Sequence, residues 1–306
     1  MVPLKESYLQ ILACPMCKSH LIQKGDTLYC ADCNNSYPIE DGIPNLLPKK
    51  VSTEFSDSMN LWNKRYSSEG PELDEPYQNS YIIDNLKHIN RFWASDRKGF
   101  FLEAGCGTAN VSRFFSREGR RVVGIDFSMN ALKKAKAAFN NERLDFLFVC
   151  CDIRNLPFRN DVFEFIYAGG SIEHFEDTKS SVAEFRRTLK PGGKLTALVP
   201  VISLSMLTYG MLYGNLPAVP GFFNIAKFVH HRLLKGKFAI YGYEKSFTVG
   251  QITNIFENGG LNNIETGYYD SYYEIKMFKS EFLKNICKKL LKHRLFWPMI
   301  YVNGEK

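Results

Sequence analysis

The stretch Phe100-Phe-Leu-Glu-Ala-Gly-Cys-Gly-Thr-Ala-Asn110 leads from an apolar run through a glycine turn into the start of a helix. Glycine has no Cβ and tolerates positive φ, so Gly105 and Gly107 let the backbone turn sharply and approach a ligand closely. A second apolar run ends at Asp126, nineteen residues after Gly107. An acid there can accept hydrogen bonds from both hydroxyls of a ribose. The stretch therefore predicts a strand, a turn and a helix around an adenosine compound.

The third glycine position separates two classes of nucleotide site. Dinucleotide-binding turns follow G-x-G-x-x-G, in which the last glycine allows close packing of the helix on the strand. Here Asn110 occupies that position. The sequence therefore disfavours NAD as the ligand.

The segment Glu103-Ala-Gly-Cys-Gly107, an acid followed by Gly-x-Gly, resembles the first motif of the class I S-adenosylmethionine (SAM) methyltransferases. The resemblance continues in order along the chain. The further matching segments are Asp126, Cys151-Asp152-Ile153, Leu156 to Tyr167, Ser171-Ile-Glu-His-Phe175 and Leu189-Lys-Pro-Gly-Gly-Lys-Leu195. Several matches at the family's spacing are far more specific than one glycine motif.

The resemblance implies the contacts to SAM. The two glycines shape the turn, Glu103 orients the methionine ammonium, Asp126 holds the ribose and Asp152 accepts from the adenine amine. The predicted SAM-binding set is Glu103, Gly105, Cys106, Gly107, Asp126, Phe127, Cys151, Asp152, Ile153 and Gly169.

Between residues 98 and 200, apolar β-type runs alternate with helical patterns, which predicts a parallel sheet with right-handed crossovers. The predicted strands are 99–104, 121–126, 144–149, 162–168 and 193–199, and the helices 109–118, 128–139 and 178–189. A helix over 248–258 and a terminal strand pair, 263–269 and 272–279, follow. The resemblance implies an α/β, Rossmann-like, seven-stranded methyltransferase sheet of order 3-2-1-4-5-7-6.

Two C-x-x-C pairs near the amino-terminal end predict a metal module. Cys14, Cys17, Cys30 and Cys33 follow the spacing C-x2-C-x12-C-x2-C. Two such knuckles on facing hairpins form the tetrahedral S4 site that zinc favours, and four thiolates leave no open position for catalysis. We therefore expect structural Zn²⁺. Residues 11–48 resemble the small zinc-ribbon protein that activates tRNA and protein methyltransferases as a separate subunit.

The 306 residues are enough for one enzyme domain and an accessory module. The predicted units are a zinc ribbon (1–48), a linker with cofactor-covering helices (49–95), the methyltransferase domain (96–280) and a basic amphipathic tail (281–306). Residues 49–60 are predicted as linker, with helices at 59–67 and 79–94. No run of eighteen apolar residues occurs, so we expect a cytoplasmic protein with reduced thiols.

Residues 201–245 interrupt the methyltransferase pattern and are predicted to be a helical substrate cap. Most of the net charge of +7 lies beyond residue 199, with 13 basic and 7 acidic residues. Basic amphipathic patterns in the cap and tail leave three interpretations open: helices packed on the domain, peripheral membrane contact, or RNA binding.

The segment after the fourth strand supplies the candidates for catalysis. Methyl transfer depends mainly on positioning, but a hydroxyl, phenol or acidic carbon acceptor needs a base. His174 is the first candidate, and Glu173 and Tyr167 are alternatives. The sequence predicts methylation of oxygen or carbon on a small or lipid-linked metabolite. An RNA methyltransferase is the alternative, and a noncatalytic SAM-binding protein is suggested by Ala109 in place of a glycine.

Overall fold

The computed structural model describes residues 3–48, 51–67, 80–93, 99–175, 177–204, 215–219, 221, 225, 228, 244–269 and 280–306. Most of the predicted cap, 201–245, and the predicted strand at 272–279 lie outside these residues.

The amino-terminal module is a small antiparallel sheet preceded by one helical turn. Its elements are α1 (Glu6–Leu9), β1 (Leu21–Lys24), β2 (Thr27–Cys30), β3 (Ser36–Glu40) and β4 (Ile43–Pro44), with the strands in sequential order. Gly25 closes the β1–β2 hairpin with a φ of +60°, a conformation that suits glycine. One cysteine pair, Cys14 and Cys17, precedes β1. The other begins at Cys30, the last residue of β2, and ends at Cys33.

Seven strands form the central sheet. They are β5 (Phe100–Ala104), β6 (Arg121–Asp126), β7 (Phe146–Cys150), β8 (Phe163–Gly169), β9 (Leu189–Pro200), β12 (Asn262–Tyr268) and β13 (Met299–Glu305), in the order β7-β6-β5-β8-β9-β13-β12. Strand β13 runs antiparallel to the other six strands, which share one direction. Counted within the sheet, this is the predicted order 3-2-1-4-5-7-6, which is confirmed. Two further strands, β10 (Asn215–Pro217) and β11 (Glu244–Ser246), pair in parallel beside it.

Helices flank the sheet on both faces. They are α2 (Thr53–Arg65), α3 (Ser80–Phe92), α4 (Asn110–Arg117), α5 (Met129–Asn141), α6 (Thr178–Thr188), α7 (Val249–Asn258) and α8 (Glu281–Leu291). Short polar residues begin several of them: Ser128 caps α5, Asp177 caps α6, and Thr248 forms a capping box with Gln251 on α7. Among the described residues, no helix is long and apolar enough to cross a membrane.

Two sequence expectations about boundaries were wrong. Residues 49–60 were expected as a polar linker, but α2 begins at Thr53, where Ser52 accepts a hydrogen bond from the Phe55 amide at 3.2 Å. Residues 281–306 were expected as a tail, but the seventh strand is β13, which inserts between β9 and β12. Its register, with Ile300 opposite Val199 and Val302 opposite Ala197, buries apolar side chains that local patterning could not assign to the sheet.

The amino-terminal module docks on the edge of the sheet through backbone hydrogen bonds. The Ala13 amide donates to the Pro157 carbonyl at 2.9 Å, and the Leu46 amide donates to the Cys150 carbonyl at 2.8 Å. Leu12, Leu28 and Leu46 belong to the same buried cluster as the strands of the sheet. The module and the large domain therefore share one hydrophobic core.

Candidate active site

The turn after β5 has the left-handed conformation that its glycines predict. Gly105 and Gly107 have φ values of +68° and +51°. The Cys106 amide donates to the Ile125 carbonyl at 2.8 Å, which ties the turn to the neighbouring strand β6. A Cβ at Gly105 would lie 2.5 Å from Ser171 Cβ, so the absence of a side chain allows the β8 loop to approach.

Ala109 occupies a position where a glycine was expected, and it adopts the glycine-like conformation. Its φ and ψ are 57° and 39°, and its amide donates to the Cys106 carbonyl at 2.7 Å. An L-residue pays roughly 1–2 kcal/mol for this region. The shape of the turn therefore survives the substitution that suggested a noncatalytic protein.

Asp126 lies at the end of β6, and its carboxylate fixes the glycine turn through hydrogen bonds to backbone amides. Its Oδ2 accepts from the Gly107 amide and its Oδ1 from the Ser128 amide, both at 2.8 Å. Burial raises the pKa of this carboxyl to about 6, against the lowering effect of the backbone hydrogen bonds. Each carboxylate oxygen keeps acceptor capacity for a further donor.

Glu103 lies one strand away, under the first turn of α4. Its Oε2 accepts from the Ser112 amide at 2.7 Å, at the positive end of the helix dipole. Burial is the largest cause that raises its pKa, to about 7, and nearby Asp126 adds to the increase. Two buried acids thus lie side by side beneath the glycine turn.

Asp152 reaches the same end of the sheet, since the Cys151 amide bonds to the Asp126 carbonyl at 3.1 Å. Its carboxylate is engaged by a residue that the sequence did not single out. Arg154 Nη2 lies 2.6 Å from Asp152 Oδ2, and its guanidinium lies 5.1 Å from the ring centres of both Phe55 and Phe175. Phe127, also in the predicted set, packs against Phe55 at 5.6 Å. An aromatic and basic wall therefore lines the predicted adenine side.

Helix α2 covers the glycine turn. A Cβ at Gly107 would lie 2.7 Å from the Tyr66 hydroxyl, and Tyr66 stacks on Trp62 with ring centres 5.9 Å apart. Asn63 Oδ1 accepts from Ser128 Oγ at 2.8 Å, and the Asn63 carbonyl accepts from Asn130 Nδ2 at 2.9 Å. These bonds attach α2 to the start of α5, next to Asp126.

The segment after β8 brings His174 to the same region. Its ring lies edge-on to Trp62 at 5.8 Å, and its Nε2 lies 3.9 Å from Glu244 Oε1. Glu244 begins β11 and was not predicted, because seventy residues separate it from His174. The 3.9 Å between His174 Nε2 and Glu244 Oε1 is too long for a hydrogen bond but places an acid beside the ring.

Glu173 and Tyr167 face inward. Glu173 is buried, and its Oε2 has no hydrogen-bond partner among the described residues. Burial, and secondarily Glu244, raises the pKa of this carboxyl well above its usual range. Tyr167 is buried in β8, where a Cβ at Gly169 would collide with its hydroxyl. Both side chains are buried, whereas the ring of His174 lies against Trp62 of α2.

The chemistry of these residues fits an adenosine compound with a positively charged end. The described region holds a carboxylate at the predicted ribose position, a second acid next to the turn, and buried, unpartnered atoms such as Ser171 Oγ. The sequence set is brought together, except that Ile153 and Cys151 are core residues behind it. Asn63, Arg154 and Glu244 were not singled out from the sequence. The contacts of Asn63 with Ser128 and of Glu244 with His174 join positions far apart in the chain, whereas Arg154 lies two residues from Asp152.

The four cysteine sulfurs form one cluster. All four lie within 4.8 Å of one another, with Cys14 and Cys33, and Cys17 and Cys30, paired at 3.5 Å. Four sulfurs at about 2.3 Å from a tetrahedral zinc lie about 3.8 Å apart, so the arrangement fits that ion. The side-chain nitrogen of Asn35, Nδ2, donates to Cys33 Sγ at 3.2 Å, and this hydrogen bond is the largest cause that lowers the pKa of that thiol to about 6.

Two family models match the chain. Residues 102–197 match a family described as a methyltransferase domain, and residues 5–42 match the Trm112p-like protein family. The first range contains the glycine turn, Asp126, Asp152 and His174. The second contains all four clustered cysteines.

Proteins with similar sequences include methyltransferases. A ubiquinone biosynthesis O-methyltransferase of Coxiella burnetii is 25% identical over 75% of this chain and 88% of its own length. A ubiquinone/menaquinone biosynthesis C-methyltransferase of Desulfotalea psychrophila is 35% identical over 33% of this chain and 41% of its own. The alignments to the first four curated relatives span 60%, 41%, 61% and 41% of those proteins.

One solved structure has both parts as separate chains. It is the complex of the Haloferax volcanii Trm112 methyltransferase activator with a putative methyltransferase, with 16% identity, a TM-score of 0.53 and coverage of 81% of this chain and 96% of that one. At this identity the likeness concerns the fold. By its sheet order and its matched central domain, the chain has the fold of the class I SAM-dependent methyltransferases. It carries a Trm112p-like module in the same polypeptide.

Proposed function

We propose that this protein transfers the methyl group of SAM to an oxygen or carbon atom of a small or lipid-linked metabolite. The observation that carries the proposal is the position of His174, beside Trp62 and Glu244 and next to the loop that touches the glycine turn. Two relatives, an O- and a C-methyltransferase of quinone biosynthesis, support this acceptor class.

In this proposal, the cofactor lies across the carboxyl ends of β5, β6 and β7. Asp126 accepts from the ribose hydroxyls, and Glu103 balances the charge of the methionine ammonium, directly or through water. Asp152 accepts from the adenine amine with the acceptor sites that Arg154 leaves open. SAM supplies an activated methyl on a sulfonium, and the displacement needs the acceptor in line at about 3 Å.

His174 is proposed to take the proton of the acceptor. Imidazole can exchange a proton near neutral pH, and general-base catalysis contributes roughly 10²–10⁴-fold. Glu244 is proposed to favour the protonated imidazole by its charge. Trp62 and Tyr66 on α2 are proposed to exclude water from the sulfonium.

The first test is SAM turnover with an acceptor screen. Purified protein and labelled SAM are incubated with lipid, metabolite and RNA fractions, and the labelled product is identified. His174→Gln is expected to reduce turnover of that acceptor by roughly 10²-fold or more while SAM affinity stays unchanged. A His174→Gln variant with undiminished turnover would remove the histidine from the mechanism.

RNA remains the second candidate acceptor. The Trm112p-like match and the excess of basic residues beyond position 199 favour it. Binding of an RNA oligonucleotide that weakens steeply with salt, together with labelled RNA in the screen, would support this function over the first. Absence of turnover with every fraction would instead leave a SAM-binding protein without methyl transfer.

A further inference from the structure

Helix α8 exposes large apolar side chains. The exposed fractions of Phe282, Ile286 and Leu290 are 72%, 39% and 43%, and these residues recur every four positions along one face. Leu283 on α8 and Leu295 beyond its end are also exposed, with exposed fractions of 45% and 57%. Leu291, in the last turn, is the buried residue of this helix. Helix α8 is therefore anchored at its end while its apolar face is uncovered by the described residues.

Basic residues are frequent in this segment, and Lys289 lies beside the apolar face. Between residues 280 and 295, Glu281 is the one acid, and the bases are Lys284, Lys288, Lys289, Lys292 and Arg294. Lys284 pairs with Glu281 at 2.5 Å, while Lys289, Lys292 and Arg294 are exposed. We call residues 282–295 the α8 surface. It combines an apolar stripe with an excess of basic residues.

The α8 surface lies at the functional edge of the sheet. The chain leaves α8 and enters β13 at Met299, which pairs with Pro200, the last residue of β9. Trp297, just before β13, stacks on Tyr268 at the end of β12, with ring centres 5.6 Å apart. The carboxyl ends of β9 and β12 lie at the same edge as those of β5 and β6, where Asp126 and the glycine turn are found.

The composition of the α8 surface decides between partners. Protein interfaces are depleted in lysine around their apolar centre, and nucleic acids are bound mainly through phosphate contacts to basic side chains, for which an exposed stripe of isoleucine and leucine is not needed. Helices that lie in the headgroup region of a bilayer combine these two features, an apolar face and a lysine-rich border. A contiguous exposed apolar patch also marks an interaction site in a protein of this size.

From these observations we infer that the α8 surface docks on an anionic lipid bilayer, with Phe282, Ile286 and Leu290 entering the headgroup region and the lysines facing lipid phosphates. Docking in this way turns the carboxyl edge of the sheet toward the membrane. The inference goes beyond the proposed reaction, because binding to lipid requires neither SAM nor turnover. Where the acceptor is lipid-linked, the same orientation would present it to the site.

The test is co-sedimentation of the full-length protein with vesicles. Vesicles of phosphatidylcholine containing phosphatidylglycerol are expected to bind the protein, and pure phosphatidylcholine vesicles roughly tenfold more weakly. The double variant Ile286→Ser/Lys289→Glu is expected to reduce binding to the anionic vesicles by at least roughly tenfold.

Ile22→Ser/Lys24→Glu is the matched control. Ile22 has an exposed fraction of 43%, close to that of Ile286, and Lys24 is exposed on the same strand of the amino-terminal module. This control should bind vesicles like the wild type. SAM affinity and melting temperature are measured on every variant, so that loss of docking is separated from loss of folding or of the SAM site.

Three outcomes would overturn the inference. They are no binding to anionic vesicles, equal binding by the α8 variant and the wild type, and binding to an RNA oligonucleotide without binding to vesicles. None of these results would contradict methyl transfer, since turnover on a soluble acceptor is a separate measurement.

Discussion

Asp126 performs two tasks, one for the fold and one for the site. It fixes the turn by accepting from the amides of Gly107 and Ser128, and it presents a carboxylate where a ribose is expected. The other two predicted acids are of this kind, since Glu103 accepts from the Ser112 amide and Asp152 accepts from the Arg154 amide. The identity of such a residue can be read from the sequence, because the turn and the ligand require the same acid.

Asp126→Ala is therefore expected to weaken SAM binding by roughly 1.5–3 kcal/mol, the range for hydrogen bonds to a charged group. Calorimetric titration measures the affinity, and the melting temperature reports the accompanying loss of the turn contacts. Asp26→Ala, an exposed acid in the amino-terminal module, serves as the control. An unchanged dissociation constant would refute the ribose assignment.

The two buried acids also predict a pH dependence. Burial raises the pKa of Asp126 to about 6 and of Glu103 to about 7. A raised acid pKa stabilises the ligand-free fold at low pH, and this contribution is lost as pH rises from about 4 to about 7. A ligand bearing positive charge favours the ionised acids, so SAM affinity should rise over about pH 5.5 to 7.5, with protons released.

Calorimetry in two buffers of different ionisation enthalpy measures that proton release. The Asp126→Asn variant should release fewer protons, because one of the two titrating acids is gone. A flat affinity across this range, with no proton release, would contradict the burial of both carboxyls in the ligand-free state.

At the scale of elements, α2 is the part whose role depends most on its neighbours. Its sequence is polar enough to suggest a linker at its start, yet Ser52 caps it and Phe55 is buried. Asn63 connects it to α5, and Tyr66 reaches the glycine turn. These contacts attach the helix over the predicted site.

Asn63→Ala removes the side-chain bond to Ser128 but leaves the backbone bond to Asn130. We expect SAM affinity to fall by about 1 kcal/mol, roughly fivefold, since α2 must then be ordered at the expense of binding. Limited proteolysis without SAM should cleave α2 faster. Asn60→Ala, at an exposed position of the same helix, should behave like the wild type, and an equal effect of both variants would contradict the bond's role.

At the scale of the whole molecule, the Trm112p-like module and the methyltransferase domain are one folding unit. Backbone bonds join residues 13 and 46 of the module to residues 157 and 150 of the domain, and both sides share a core cluster. The strand that ends at Cys150 leads directly into Asp152. Loss of the metal from the module should therefore also perturb the predicted SAM site around Asp152.

Purified protein is expected to hold about one zinc by elemental analysis, as an S4 site of this spacing requires. Cys17→Ser should lower the zinc content, the melting temperature and, through β7, the SAM affinity. Cys287→Ser, outside the cluster, is the control and should change none of the three. A metal-free Cys17→Ser protein with wild-type stability would show that the module folds without zinc.

The sequence by itself determined the metal cluster, the acids of the turn and the alternation of the first five strands with helices, because each depends on local spacing: paired cysteines, glycines beside an acid, and alternating apolar runs. The sheet order followed from the resemblance to the methyltransferase family. The tertiary structure alone decided which strand completes the sheet. The run Met299–Glu305 looks like part of a basic tail until its pairing with β9 is seen. It also decided that Asn63 and Glu244 join the site, because their contacts with Ser128 and His174 connect positions far apart in the sequence, which no local pattern encodes.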